Sequence, residues 1–408
     1  MGLGPEDLSP VLVQKVVRHG GKDSFAEARE DLKEDVGLAI SAKQVQRIAE
    51  RVGGEWAAAR DEQVEQFKQG HVPRLYSERP AVAAVMPDGG RILLRADEQG
   101  PGVHDPQWKE PKYGCCLTLN SPAHASDPQP APPSKFLNPE RVARIVRDVK
   151  SRSRTSSPLP ATPRRKKRKT PRRKATAQIV RTVVATMCGA EDFGYMLATE
   201  AYVRNLDLAQ RKAYVCDGLA YNWTIWEEHF RAWGFVPILD FLHLLTYLYD
   251  AAQALGGGPK QQWVRYALWL HWAWEGKREK LWAELQAHAA KLGVPPKDAA
   301  EQDPRRILQD AARYVEHNLS RMNYPQYRKL GLPISSAPIE STVKQFNRRV
   351  KGTEKFWLKQ GAEAILQVRA AYLCQDNRVQ RLWARPRPHY RAVGRNRAAI
   401  AACFGSIV

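Results

Sequence analysis

Apolar positions in the first 70 residues recur at helical spacing. Leu12, Val13, Val16 and Val17 share one face, and a second helical stretch covers residues 25–36. Val45, Ile48, Ala49 and Val52 line one side of a third helix over 41–52, with Ser41 placed as its N-cap. Its other side carries Lys43, Gln44, Gln46, Arg47 and Arg51. At residue 81 the period shortens to that of strands. Residues 81–86, 91–95, 113–119 and, after an interruption, 178–187 are β-like runs, and Asp88-Gly89-Gly90 is a turn signal between the first two. A helix over 189–205, a strand over 213–216 ending at Asp217, a helix over 223–233 and a strand over 235–239 ending at Asp240 follow.

Beyond Asp240 the spacing is helical through 241–255, 262–292 and 307–318, and again over 339–377. Trp263, Trp269, Trp272, Trp274 and Trp282 fall in the middle helix; one of them could stack on an extruded base, while core packing is expected of most. Antiparallel strands followed by alternating helix and strand predict an α/β fold with a ribonuclease H-like mixed sheet. Short helices ahead of it suit an N-terminal helical, helix-turn-helix-like domain that reads DNA through Lys43, Gln44 and Arg47. A solvated face on an ordinary helical bundle has the same pattern.

The interruption at 121–175 is rich in Pro and Ser and then strongly basic. Nine of the eleven residues from 164 to 174 are Arg or Lys, among them Arg164, Arg165, Lys166, Lys167, Arg168 and Lys169. Charges this dense repel one another and build no core, so a disordered loop is expected. Residues 141–180 hold fifteen basic side chains and one acidic, most of the chain's net +21. Such an excess favours a polyanionic partner, because each neutralised phosphate releases counterions. The loop therefore reads as a phosphate-binding arm, with a solvated linker or a nuclear import signal as the alternatives.

At 408 residues and 43% hydrophobic content the chain can bury a sizeable core. No apolar stretch approaches the roughly 18 residues that cross a bilayer, and the N-terminus lacks a signal-peptide pattern, so no membrane partner is expected. Six scattered cysteines without a CxxC pair point to reduced thiols and a cytoplasmic, nucleoid-associated protein.

Asp88, Asp217 and Glu340 are the candidate catalytic carboxylates. In a ribonuclease H-like sheet the first and fourth strands are neighbours, so Asp88 at the end of the first, Asp217 at the end of the fourth and Glu340 on a late helix can converge. Cutting a phosphodiester without a covalent enzyme intermediate calls for an activated water and a stabilised leaving oxygen, which two Mg²⁺ ions about 4 Å apart can supply. Mg²⁺ prefers carboxylate oxygens. With 43 acidic residues in the chain, spacing alone selects no triplet.

Local sequence does select one. The chain reads MPDGGRILLR at 86–95, YVCDGLAYNW at 214–223, ILDFLHLLTYL at 238–248 and LPISSAPIESTVKQFNRRVKGTEKFW at 332–357. Over residues 80–120 and 177–375 it resembles bacterial insertion-sequence transposases of the DDE superfamily, of the Kra subgroup, with Mutator-like enzymes as more distant relatives. The resemblance implies that Asp88, Asp217 and Glu340 ligate two Mg²⁺ (or Mn²⁺) ions and that residues 245–335 form an all-helical insertion domain. It matches Asp240 and His243 to a DxxH signature, a supporting pair that positions substrate or braces the insertion. Lys344, Arg348 and Arg349, beside Glu340, join the expected DNA-binding residues. Ser335-Ser336-Ala337-Pro338 departs from the family's Gly-Ser-Gly-like run and narrows the loop's backbone options.

The expected activity is metal-dependent cleavage and strand transfer at insertion-sequence ends, on double-stranded DNA and by a homodimer, since two ends must meet. The alternatives are a catalytically inactive, domesticated DNA-binding protein and a nuclease acting on RNA hybrids. The expected division is a helical domain at 1–75, catalytic segments at 76–120, 176–244 and 336–380, the basic loop at 121–175, the insertion at 245–335 and a basic tail at 381–408.

Overall fold

A computed structural model describes residues 8–95, 107–153, 178–352 and 355–385. The basic run at Arg164, Arg165, Lys166, Lys167, Arg168 and Lys169, and the tail after Arg385, lie outside the described residues.

Three helices come first: α1 (Pro10–Lys22), α2 (Phe25–Val36) and α3 (Ala42–Lys68). Each begins at a serine, Ser9, Ser24 or Ser41, whose hydroxyl accepts an N–H of the first turn. Glu27 and Gln44 complete reciprocal capping boxes on the second and third. The third helix runs well past Val52, burying Trp56, Ala57 and Val64.

β1 (Val82–Gly89), β2 (Ile92–Leu94), β3 (Gln107–Lys109) and β4 (Lys112–Leu119) follow. Then come α4 (Pro139–Ser153), β5 (Gln178–Thr186), α5 (Ala190–Val203), β6 (Arg211–Cys216), α6 (Ala220–Ile225), which continues into a π turn over Trp226–Phe230, and β7 (Val236–Leu239). A helical block consists of α7 (Phe241–Ala254), α8 (Pro259–Trp274), α9 (Arg278–Leu292), α10 (Pro304–Asn318) and α11 (Tyr324–Lys329). The described chain ends with α12 (Ala337–Val350), β8 (Phe356–Trp357), α13 (Lys359–Leu373) and α14 (Arg378–Ala384).

The fold is mixed α/β around a five-stranded sheet in the order β5-β4-β1-β6-β7. β4 runs antiparallel to β5 and β1, whereas β1, β6 and β7 are parallel. The run at 91–95 does not join this sheet. β4 takes the place beside β1, and β2 instead pairs with β3 and β8 in a small sheet of order β3-β2-β8.

The disordered loop expected from residue 121 is ordered as far as Ser153. Phe136 is buried, its carbonyl accepts the Tyr266 hydroxyl (3.1 Å), and the Trp274 indole donates to the Gln129 carbonyl (2.8 Å). Arg328 holds Asp127, and Val142, Val146 and Val149 sink one side of α4. The expected middle helix at 262–292 is two helices, broken where Gly276 takes a φ of 74° that suits glycine. That at 339–377 is interrupted by β8. Trp269 and Trp274 are core residues, and Trp263, Trp272 and Trp282 pack partly buried against it.

Alternate residues of β1 face different layers. Val82, Ala84 and Met86 meet α7 and α12, while Ala83 and Val85 meet α5 through a cluster that includes Phe193 and Leu197. A third cluster joins Val13, Val17, Ile48, Val52 and Trp56 to Val368 and Ala371 of α13. The N-terminal helices thus share a core with the last long helix. Where they cross, a Cβ on Gly53 would overlap the carbonyl oxygen of Ala364. Gly53→Ala is therefore expected to destabilise the protein by about 1–3 kcal/mol, the usual range for overpacking, although alanine is the better helix former. Chemical denaturation gives the value; a gain in stability would contradict this crossing. Among the described residues, no helix is long and apolar enough to cross a membrane.

Candidate active site

Asp88, Asp217 and Asp240 stand in one row. β1 and β6 pair Val85 with Tyr214, and β6 and β7 pair Cys216 with Leu239. Continuing each register sets Asp88 beside Asp217 and Asp217 beside Asp240, on strands about 4.8 Å apart. Side chains alternate across a sheet. The aspartates are in phase with Val82, Ala84 and Met86, with Ala213 and Val215, and with Ile238, all of which face α7 and α12. All three therefore project to that one face.

α12 brings Glu340 to the same face. Ile339, Val343, Phe346 and Val350 bind the helix to the core, and the Phe346 ring lies 4.6 Å from that of Tyr113 on β4. Glu340 is buried in the first turn of this helix, and the Ser336 hydroxyl lies 3.5 Å from its Oε1.

Other groups orient the row. Asp88 Oδ1 accepts the N–H of Gly89 (2.8 Å). Asp217 Oδ1 accepts the Leu219 N–H (3.2 Å) and the Asn222 amide (2.9 Å), while its carbonyl accepts the Tyr314 hydroxyl (2.7 Å). Tyr314 comes from α10 in the helical block and stacks on Tyr247 with ring centroids 3.9 Å apart. Gly218, at φ 93°, makes the turn after Asp217 where the Tyr314 ring crowds the backbone.

Asp240 is fully buried and caps α7. Its Oδ1 accepts the Leu242 N–H (3.3 Å) and the Ser336 N–H (2.9 Å); its Oδ2 accepts the His243 N–H (3.2 Å) and lies 2.6 Å from His243 Nδ1. Burial opposes ionisation of Asp240, but the His243 and Ser336 bonds hold its carboxyl below the usual range. Burial likewise pushes the His243 imidazolium down; the Asp240 bond and charge, with Asp217 and Asp88 behind it, outweigh this and lift it to about 9. The two form an ion pair within the first turn of α7, and the Ser336 N–H bond to Asp240 ties that turn to the start of α12.

Ligand atoms of Asp240, His243 and Glu340 all lie within 4.8 Å of one another, so this buried group could hold a metal ion. Its identity is set by no group present. Asp88 and Asp217 are not part of this close group; strand register puts them on the same end of the parallel strands as Asp240.

Lys43, Gln44 and Arg47 are exposed on the first turns of α3, although the Gln44 side chain is occupied in its capping box. Lys344 and Arg348 are exposed on α12, with Lys344 3.7 Å from Asp148. Arg349 is not on that surface. One residue further along a helix turns by about 100°, and its guanidinium stacks between Phe25 and Trp357 while Nε donates to the Gly20 carbonyl (2.8 Å). Sequence reasoning passed over Asn222, Ser336 and Tyr314. Asn222 and Ser336 lie inside the motifs that carried the resemblance, whereas nothing near Tyr314 marks it, because its partner is almost a hundred residues away. The chain matches no protein-family model and no curated protein.

Proposed function

We propose that the protein is a DNA transposase of the DDE class that cuts and joins DNA ends with divalent metal ions. The observation that carries this reading is the in-register row of aspartates with Glu340 above the same face. The strand order, with a central strand antiparallel to one neighbour and parallel to the other, agrees with the order expected of a ribonuclease H-like sheet and supports this reading. So does the helical block between Asp240 and Glu340, which stands where the insertion domain of such enzymes would be.

The donor set suits a hard cation. Four carboxylates at one end of a sheet crowd negative charge, which a divalent ion relieves, and oxygen is the donor that Mg²⁺ and Mn²⁺ take. Asp88, Asp217 and Glu340 would hold the metals. Asp240 already accepts four bonds, one of them with the His243 ring, so this pair braces Glu340 through Ser336. Two ions held there would supply an activated water and stabilise the leaving oxygen. Asn222 and the Leu219 N–H fix the Asp217 carboxylate, and Tyr314 fixes the backbone behind it.

Lys43, Gln44 and Arg47 on one side, Lys344 and Arg348 on the other, and the basic run at 164–174 are the groups that would take DNA. Joining two ends at such centres calls for two protomers on the DNA. The test uses the full chain and a plasmid carrying the DNA that flanks its gene, with an RNA–DNA hybrid alongside. Nicking or end cleavage of the plasmid is expected with Mg²⁺ or Mn²⁺ and none with EDTA. Inert DNA in the presence of metal, or preferred cleavage of the hybrid, would overturn the proposal.

A further inference from the structure

A cleft of about 1000 Å³, lined by none of the site carboxylates, lies between α2 and α3 on one side and the segment from β8 into α13 on the other. Its lining includes six basic side chains, Lys43, Arg51, Arg95, Arg349, Lys355 and Lys359, against Glu50 and Glu363. Glu363 is already engaged by Arg60, Thr186 and the Met187 N–H, and Arg51 pairs with Glu55. The surplus is still positive.

Arg349 adds an independent observation. It is 2% exposed, forms part of the cleft wall, and its Nη2 is buried without a hydrogen-bond partner. Among the described residues no carboxylate forms an ion pair with it. The Gly20 carbonyl and the Phe25 and Trp357 rings hold the rest of the group, with Asp23, Glu50 and Glu27 as the nearby negative charges. The one nitrogen left without an acceptor is costly to bury, and a phosphate oxygen in the cleft would supply that acceptor.

The rim has a different chemistry. Phe356 is 41% exposed and Leu358 56% exposed, side by side with Lys355 and Lys359. A duplex hides its bases, so an apolar rim beside a basic wall rewards unpaired bases, which stack on aromatic rings while their phosphates track the cations. A second cleft of about 350 Å³ shares Arg95, Met187 and Lys359 with the first and adds Lys109 and Glu110. Glu110 packs on Gly89 and accepts the Tyr221 hydroxyl (3.3 Å), so this path reaches the residue beside Asp88.

We propose that the two clefts form one groove for a single strand of DNA, leading from the carboxylate row across the small sheet to α3, with Phe356 as the base-stacking platform. This rests on the DNA-processing reading above and adds the strand's route. The test measures binding of a single-stranded oligonucleotide and of a blunt duplex to the full-length protein in EDTA, at one fixed salt concentration. It also maps photocrosslinks from 5-iodouracil in the single strand.

Crosslinks within residues 355–359 are expected. Phe356→Ala should weaken single-strand binding three- to tenfold, and Lys355→Glu with Lys359→Glu tenfold or more, each leaving duplex affinity within twofold. Equal losses for strand and duplex, or crosslinks confined to residues outside the groove, would overturn the route. If the wild-type protein cleaves DNA with metal and the crosslinks still fall elsewhere, the route fails and the nuclease reading stands. If the protein never cleaves but crosslinks at 355–359, the reading fails and the groove stands.

Discussion

If the protein is the nuclease proposed, Asp217→Asn is expected to lower metal-dependent cleavage by at least ~10³-fold, about 4 kcal/mol of transition-state stabilisation, while DNA binding stays within about twofold. The amide keeps an oxygen for the Leu219 N–H and the Asn222 side chain, so the local turn survives. What it loses is the negative charge at the middle of the row, where Asp88 and Asp240 flank it on neighbouring strands. A metal-bound transition state depends on that charge by several kcal/mol. Asp88→Asn and Glu340→Gln are expected to match it, because each supplies one carboxylate from a separate element. Single-turnover cleavage in Mg²⁺ measures the loss. Near-wild-type rates in the three variants would remove the catalytic assignment.

Asp240→Ala is expected to destabilise the fold by about 3–5 kcal/mol, the range for breaking a buried ion pair from one side. The substitution orphans the Leu242, His243 and Ser336 N–H groups and leaves the His243 imidazolium without its counter-ion. Asp240→Asn keeps acceptor oxygen but not the charge, so its loss is smaller. Denaturant unfolding in EDTA separates this effect from any metal-binding role. An unchanged midpoint for Asp240→Ala would show that the brace between α7 and α12 carries no stability.

Local chemistry is what the sequence made legible. Ser24 and Ser41 cap the helices they precede, and the aspartates at 88, 217 and 240 end strands whose apolar runs are plain in the chain. Alternation and register, both short-range, then align the row. Features built from distant partners were not readable. β2 left the main sheet for a two-residue strand some 260 residues downstream in the chain, a pairing no pattern near Ile92 announces. The Pro- and Ser-rich stretch after residue 120 looked unable to fold alone, and it is ordered by Tyr266, Trp274 and Arg328 of the helical block. The third helix, expected over 41–52, continues through Gly53, whose close approach to Ala364 is decided by another helix. Arg349 looked like one more basic surface residue until the rings of Phe25 and Trp357 closed over it. The loop before Glu340 manages without glycine, since Ser336 at φ −80° and ψ 13° is within reach of any residue.

The common core of α1, α3 and α13 also has a metric consequence under the DDE reading. α13 lies against β5, in the same sheet as Asp88, so Lys43 and Arg47 sit at a set reach from the carboxylates and not on a swinging tether. Under that reading the protein would act as a caliper: the interval between the bases it recognised and the phosphate it cut would be dictated by the backbone of the protein.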